Sequence, residues 1–80
     1  MSHFVYILKC ADDTLYTGYT TDIERRVIEH NEDIKGAKYT KARRPVKLVY
    51  YESFDSRSDA TKREAEIKRL TRKGKLELIK

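Results

Sequence analysis

The chain has 80 residues, enough for one domain over residues 1–80. A chain this short buries only about 60% of the surface of its unfolded form, so its core must be well made. Eighteen Lys and Arg stand against 13 Asp and Glu, a net charge of +5, and the sequence pI is near 9.4; this balance points to an anionic partner, nucleic acid ahead of a membrane surface. One cysteine, Cys10, excludes an intrachain disulfide and a cysteine-built zinc site. No apolar run approaches the roughly 20 residues of a spanning helix, and no charged-then-apolar signal pattern opens the chain. The expected compartment is a reducing cytoplasm, with no membrane partner.

His3 to Cys10 is rich in β-branched and aromatic residues and apolar on both faces. That pattern predicts a central strand covered on both sides, with Cys10 as a small core residue. Ala11-Asp12-Asp13-Thr14 is turn chemistry, and Leu15 to Tyr19 forms a second strand of the same hairpin. Gly18 within that strand marks a bend or a close approach.

Thr21 and Glu24 have capping-box spacing, so the chain enters a helix over about Asp22–Asn31. With Ile23 at zero on a helical wheel, Val27 falls at about 40°, His30 at about 340° and Arg26 at about 300°. Arg26 and His30 therefore flank the apolar stripe, four residues apart, a spacing at which two side chains can act on one ligand. Taken alone, the pair reads more readily as a surface arginine and a helix C-terminal cation.

Lys35, Lys38, Lys41, Arg43, Arg44 and Lys47 follow with no acid among them, and Tyr39 lies in their midst. Gly36 is placed to end the helix, and Pro45 bounds the next strand. A cationic loop with an aromatic suits the backbone of a nucleic acid; a solvated loop fits the composition equally. Val46–Glu52 reads as the third strand, Phe54–Arg57 as a connector, and Ser58 as the cap of a helix over about Asp59–Leu70. The stripe of that helix is Ala60, Glu64, Ile67 and Thr71, with Leu70 at its edge, so Glu64 lies in the buried face while Glu66 points outward. A carboxylate so placed needs a cation, an arginine such as Arg26 or a metal. A last basic helix covers about Arg72–Ile79, weakened by Gly74. The order is β-β-α-β-α-α: an α+β domain with a small three-stranded antiparallel sheet and flanking helices.

At this point the chain resembles the GIY-YIG nuclease superfamily. Phe4-Val5-Tyr6 stands where the first motif's Gly-Ile-Tyr would be, and Tyr16-Thr17-Gly18 where the Tyr-Ile-Gly would be, with nine residues between the two tyrosines. Asp22-Ile23-Glu24-Arg25-Arg26 looks like the family's helix opening, His30 follows at the helical step, and Glu64 matches the metal-binding glutamate. The likeness is to small stand-alone members and covers all but the last ten residues. Phe4 replaces a glycine and narrows or lines the site; Thr17 is a β-compatible change.

The resemblance implies a metal-dependent endonuclease that hydrolyses phosphodiester bonds, in DNA ahead of RNA, with branched or damaged repair substrates in view. It implies one divalent cation, Mg²⁺ or Mn²⁺, on Glu64. Arg26 would hold non-bridging oxygens, and Tyr16 would position phosphate or water. Tyr6 would be the general base, its phenolate favoured by nearby cations, with His30 receiving or orienting its proton. Glu64 and Arg26 would sit on different helices against one sheet face. Two alternatives stand beside it. One is a non-catalytic nucleic-acid-binding accessory with the nuclease fold, and the other a protein–protein module. A homodimer or partner protein would complete the surface of so small a chain.

Overall fold

The computed structural model describes residues 2–32 and 38–80; Lys35 and Gly36 lie outside the described residues. Its elements are β1 (His3–Lys9), β2 (Leu15–Thr20), α1 (Ile23–Glu32), α2 (Lys38–Lys41), β3 (Lys47–Phe54), α3 (Arg57–Lys68) and α4 (Arg72–Ile79). The strands form one sheet in the order β2-β1-β3, antiparallel throughout. The expected architecture holds, with one addition: the cationic stretch contains a one-turn helix, α2.

β1 is central because both of its faces are apolar. Val5, Tyr6, Ile7 and Leu8 are all buried. Alternation divides them between two cores. Val5 and Ile7 pack with Ala60 and Ile67 of α3, and Leu78 and Ile79 of α4 close this side. Tyr6 and Leu8 pack with Cys10 and Val46, flanked by Tyr16, Val27 and Leu48. α1 and α3 thus lie on opposite faces of the sheet, not on one face as expected. A register shift between Ile7 and Leu8 in the β1–β3 ladder leaves Tyr51 opposite Tyr6.

Helix starts follow side-chain acceptors, and two caps differ from the sequence reading, while α4 begins at Arg72 as expected. At α1 the cap is Asp22, whose Oδ1 accepts from the Arg25 N–H at 3.1 Å. Thr20 Oγ1 in turn accepts from the Asp22 N–H at 3.1 Å. An aspartate one residue nearer the helix supplies what the Thr21–Glu24 box would have supplied. At α3 the cap is Ser56, not Ser58; its Oγ accepts from the Asp59 N–H at 3.1 Å, so the helix begins two residues earlier. Thr71 is not part of the α3 stripe. It caps α4, accepting from the Gly74 N–H at 3.2 Å, and the glycine's amide is used there. α3 is tied to β3 by Arg63, whose Nη2 lies 3.1 Å from Glu52 Oε2.

Candidate active site

The Tyr6 side chain leaves the middle of β1 toward α1 and is only 1% exposed. Its hydroxyl meets His30 Nε2 at 2.8 Å, and the Arg26 guanidinium lies beside it. Directly opposite Tyr6 in the register is Gly18. A Cβ there would stand 2.4 Å from Tyr6 Oη. The glycine is required by close approach, since no glycine among the described residues has a positive φ.

The neighbouring rings complete the pocket wall. Tyr16 meets His30 edge-on with centroids 5.2 Å apart, and Tyr39 stacks on Tyr16 at 5.8 Å. The Arg43 guanidinium lies 4.0 Å over the Tyr39 ring. His30 is fully buried, and its Nδ1 lies 2.8 Å from Thr40 Oγ1. Arg26 Nη1 also holds Glu29 Oε1 at 2.9 Å. A shallow cleft of about 140 Å³, lined by Thr20, Thr21, Asp22, Arg25, Arg26 and Glu29, opens beside that guanidinium.

Burial sets the proton chemistry. It pushes the Tyr6 phenol up to about 12, although the neighbouring Arg26 pulls the other way. Tyr6 is therefore a neutral phenol at neutral pH; the expected phenolate is not favoured, because desolvation outweighs the cation. Burial, with Arg26 next, lowers His30 to about 4. The pair is a neutral phenol against a neutral imidazole.

Tyr6, Tyr16, Arg26 and His30 are brought together. Glu64 comes from the far side of the sheet, on α3. Its side chain is 20% exposed and its Oε2 lies 3.0 Å from Lys68 Nζ, the cation it pairs with in place of Arg26. Its charge nonetheless contributes to raising Tyr6. Among the described residues no group of three or more His, Cys, Asp and Glu is placed to hold a metal. A lone, partly exposed carboxylate still fits Mg²⁺, which keeps several waters and takes one or two carboxylates; Lys68 would have to yield.

Lys38 and Lys41 are exposed on α2. Arg43 pairs with Asp12 at 3.0 Å and donates to the Tyr39 carbonyl at 2.8 Å. Arg44 donates to the backbone carbonyls of His30 and Glu29, the open end of α1. Those two arginines are engaged in the fold. Thr40 had no signal in the sequence: its partner lies ten residues away, across a segment without periodicity.

A family model described as the GIY-YIG catalytic domain matches residues 2–77. The chain belongs to the GIY-YIG family. The match runs into α4, further than the motifs alone reach. The GIY-YIG chain is 61% identical over 77 residues to UPF0213 protein SSP2268 of Staphylococcus saprophyticus, covering 96% of this chain and 93% of the relative. It is 61% identical over 79 residues to a UPF0213 protein of Staphylococcus aureus, covering 99% and 95%. Among solved structures it is similar to UPF0213 protein BH0048 from Bacillus halodurans, with a TM-score of 0.63 and 48% identity over 99% of this chain and 83% of that one. The protein EF2693 from E. faecalis gives 0.64 and 52% over 94% and 79%. A GIY-YIG domain places the chain in a nuclease family, whose substrates are nucleic acids and whose members generally use divalent metal ions. Among the described residues no helix is long and apolar enough to cross a membrane.

Proposed function

We propose that this protein is a metal-dependent endonuclease that hydrolyses phosphodiester bonds in DNA, with branched or damaged repair and recombination intermediates as substrates, in the cytoplasm. The observation that carries the reading is the Tyr6 hydroxyl held at 2.8 Å from His30 Nε2 with the Arg26 guanidinium beside them. A phenol with a neutral imidazole behind it can take a proton from water while passing its own inward. The proton rests on His30 during attack and returns afterwards. Charging an imidazole whose pKa is about 4 costs about 4 kcal/mol at pH 7. That is small beside the 8 kcal/mol or more by which enzymes typically lower barriers.

Arg26 offers a fork to the non-bridging oxygens, where charge builds during attack. The Tyr16 hydroxyl orients the phosphate. Glu64 would hold one Mg²⁺ or Mn²⁺, which when bound supplies Lewis acidity to the phosphate and stabilises the leaving oxygen. Lys38 and Lys41 draw in the backbone, joined by Lys35 and, so far as their pairings allow, by Arg43 and Arg44. A second copy or a partner protein extends the substrate surface.

The test is cleavage of flap, three-way-junction, single-stranded and duplex DNA with Mg²⁺, Mn²⁺ or EDTA, with Glu64→Ala alongside. Metal-dependent cutting that Glu64→Ala lacks, with its fold intact by circular dichroism, is expected. Retained turnover in that variant refutes the ligand assignment. The Glu64–Lys68 pairing favours one second reading, a non-catalytic nucleic-acid-binding accessory. Tight, salt-sensitive binding with no cutting would select it.

A further inference from the structure

α2 has only four residues, too few for a helix that holds itself. It is pinned through the site. Thr40 is fully buried against His30, Tyr39 stacks on Tyr16, and Arg43 and Arg44 fasten the exit to Asp12 and to the end of α1. The Thr40 contact has a direction that the donor inventory decides. Arg26, beside the phenol, is donor-only, so Tyr6 can present to it only its oxygen as acceptor. The phenol's own proton then goes to its other partner, His30 Nε2, at 2.8 Å. A neutral imidazole that accepts at Nε2 carries its proton at Nδ1, and Nδ1 faces Thr40 Oγ1 at 2.8 Å.

We propose that Thr40 is a positioning residue whose hydroxyl oxygen locks His30 in the Nδ1–H tautomer, leaving the Nε2 lone pair to receive the Tyr6 proton. Its catalytic consequence rests on the proposed Tyr6-to-His30 proton path. The opposite tautomer would aim two donors, Arg26 and Nε2–H, at one phenol oxygen. It would also leave the Tyr6 proton without its acceptor in a buried site, where an unmade hydrogen bond is costly. The lock sits between Lys38 and Lys41, so the cations that face solvent and the group that sets the imidazole share one turn of helix.

Two variants of the full chain test this. Thr40→Val keeps the β-branched shape and loses the acceptor; Thr40→Ser keeps a hydroxyl. The first readout is the ¹⁵N NMR signature of the ring, in a His3→Gln background so that one imidazole is observed. It needs neither metal nor turnover. The parent is expected to show a protonated Nδ1 and a bare Nε2. Thr40→Val should move population toward Nε2–H, and Thr40→Ser should not. A parent ring protonated at Nε2 overturns the proposal even if Thr40→Val fails to fold, and so does a Thr40→Val ring that keeps the parent tautomer. The second readout is cleavage. Thr40→Val should lower kcat by about 100-fold with KM unchanged, the lower end of what a positioned proton acceptor contributes. Thr40→Ser should restore most of it. A tautomer that moves while kcat stays put overturns the proton path and leaves the lock standing.

Discussion

Gly18→Ala is the sharpest single probe of the site. The added methyl carbon would lie 2.4 Å from Tyr6 Oη, 2.6 Å from Tyr6 Cζ and 3.1 Å from Tyr16 Cε2, where ordinary carbon contacts are about 3.5–4.0 Å. The obstructing atoms cannot swing aside freely, because the ring is buried and its hydroxyl is held by His30. Either the β1–β2 pairing opens or the ring turns away from His30. Overpacking of this kind costs about 1–3 kcal/mol, and a buried hydrogen bond pulled apart adds about 1–3 kcal/mol. Alanine returns about 0.4–1 kcal/mol by restricting the unfolded chain. The net expectation is a loss of about 1–6 kcal/mol, a large fraction of the roughly 4–12 kcal/mol usual for a chain of this size. Urea unfolding of Gly18→Ala, Tyr6→Phe and the double variant measures it. In the Tyr6→Phe background the nearest clash is gone, so Gly18→Ala should cost less there, though not nothing, since Cζ remains. A loss under about 0.5 kcal/mol, the range of inert surface changes, or an equal loss in both backgrounds, would refute the close-approach account.

His30 has its ordinary pKa of 6.5 lowered to about 4 in the fold. The unfolded chain therefore binds the proton first, and stability should fall by about 3 kcal/mol as pH drops from about 6.5 to about 4. His30→Gln should flatten that window in pH-dependent urea unfolding, and an unchanged slope would place the titration elsewhere. Arg26→Ala should lower the cleavage rate by two or more orders of magnitude, the scale of one lost transition-state donor; an unchanged rate would leave Arg26 with only its tie to Glu29. Neutralising Lys38 and Lys41 should weaken DNA binding and reduce the slope of log affinity against log salt by about 2, near one per phosphate contact. Arg44→Gln should instead lower stability, because it frees the carbonyls that end α1, and a pure affinity loss would count against that role.

Much of the site could be read from local chemistry. Arg26 and His30 announced themselves through helical spacing, a rule that acts over one or two turns of chain, while Tyr6 and Tyr16 were implied by the resemblance of Phe4-Val5-Tyr6 and Tyr16-Thr17-Gly18 to the family's two motifs. The central place of β1 followed from its two apolar faces, and the hairpin from a four-residue turn. The caps were harder. Asp22 competes with Thr21, and Ser56 with Ser58, and propensity alone cannot rank neighbours that are nearly equal as acceptors. The one-turn α2 was invisible for a stronger reason. Its stability comes from Thr40 against His30 and Tyr39 against Tyr16, not from its own four residues.

The sequence by itself determined the order of the three strands and the three longer helices, most of their apolar stripes and the set of polar groups available for chemistry, because these depend on residue type and short-range periodicity. Only the tertiary structure decided how those groups behave. It set α1 and α3 on opposite faces, gave Glu64 to Lys68, and assigned Arg43 and Arg44 to the fold. It also buried Tyr6 and His30 deeply enough to keep both neutral. Desolvation and pairing are properties of an environment assembled from distant segments, and no local spacing encodes them.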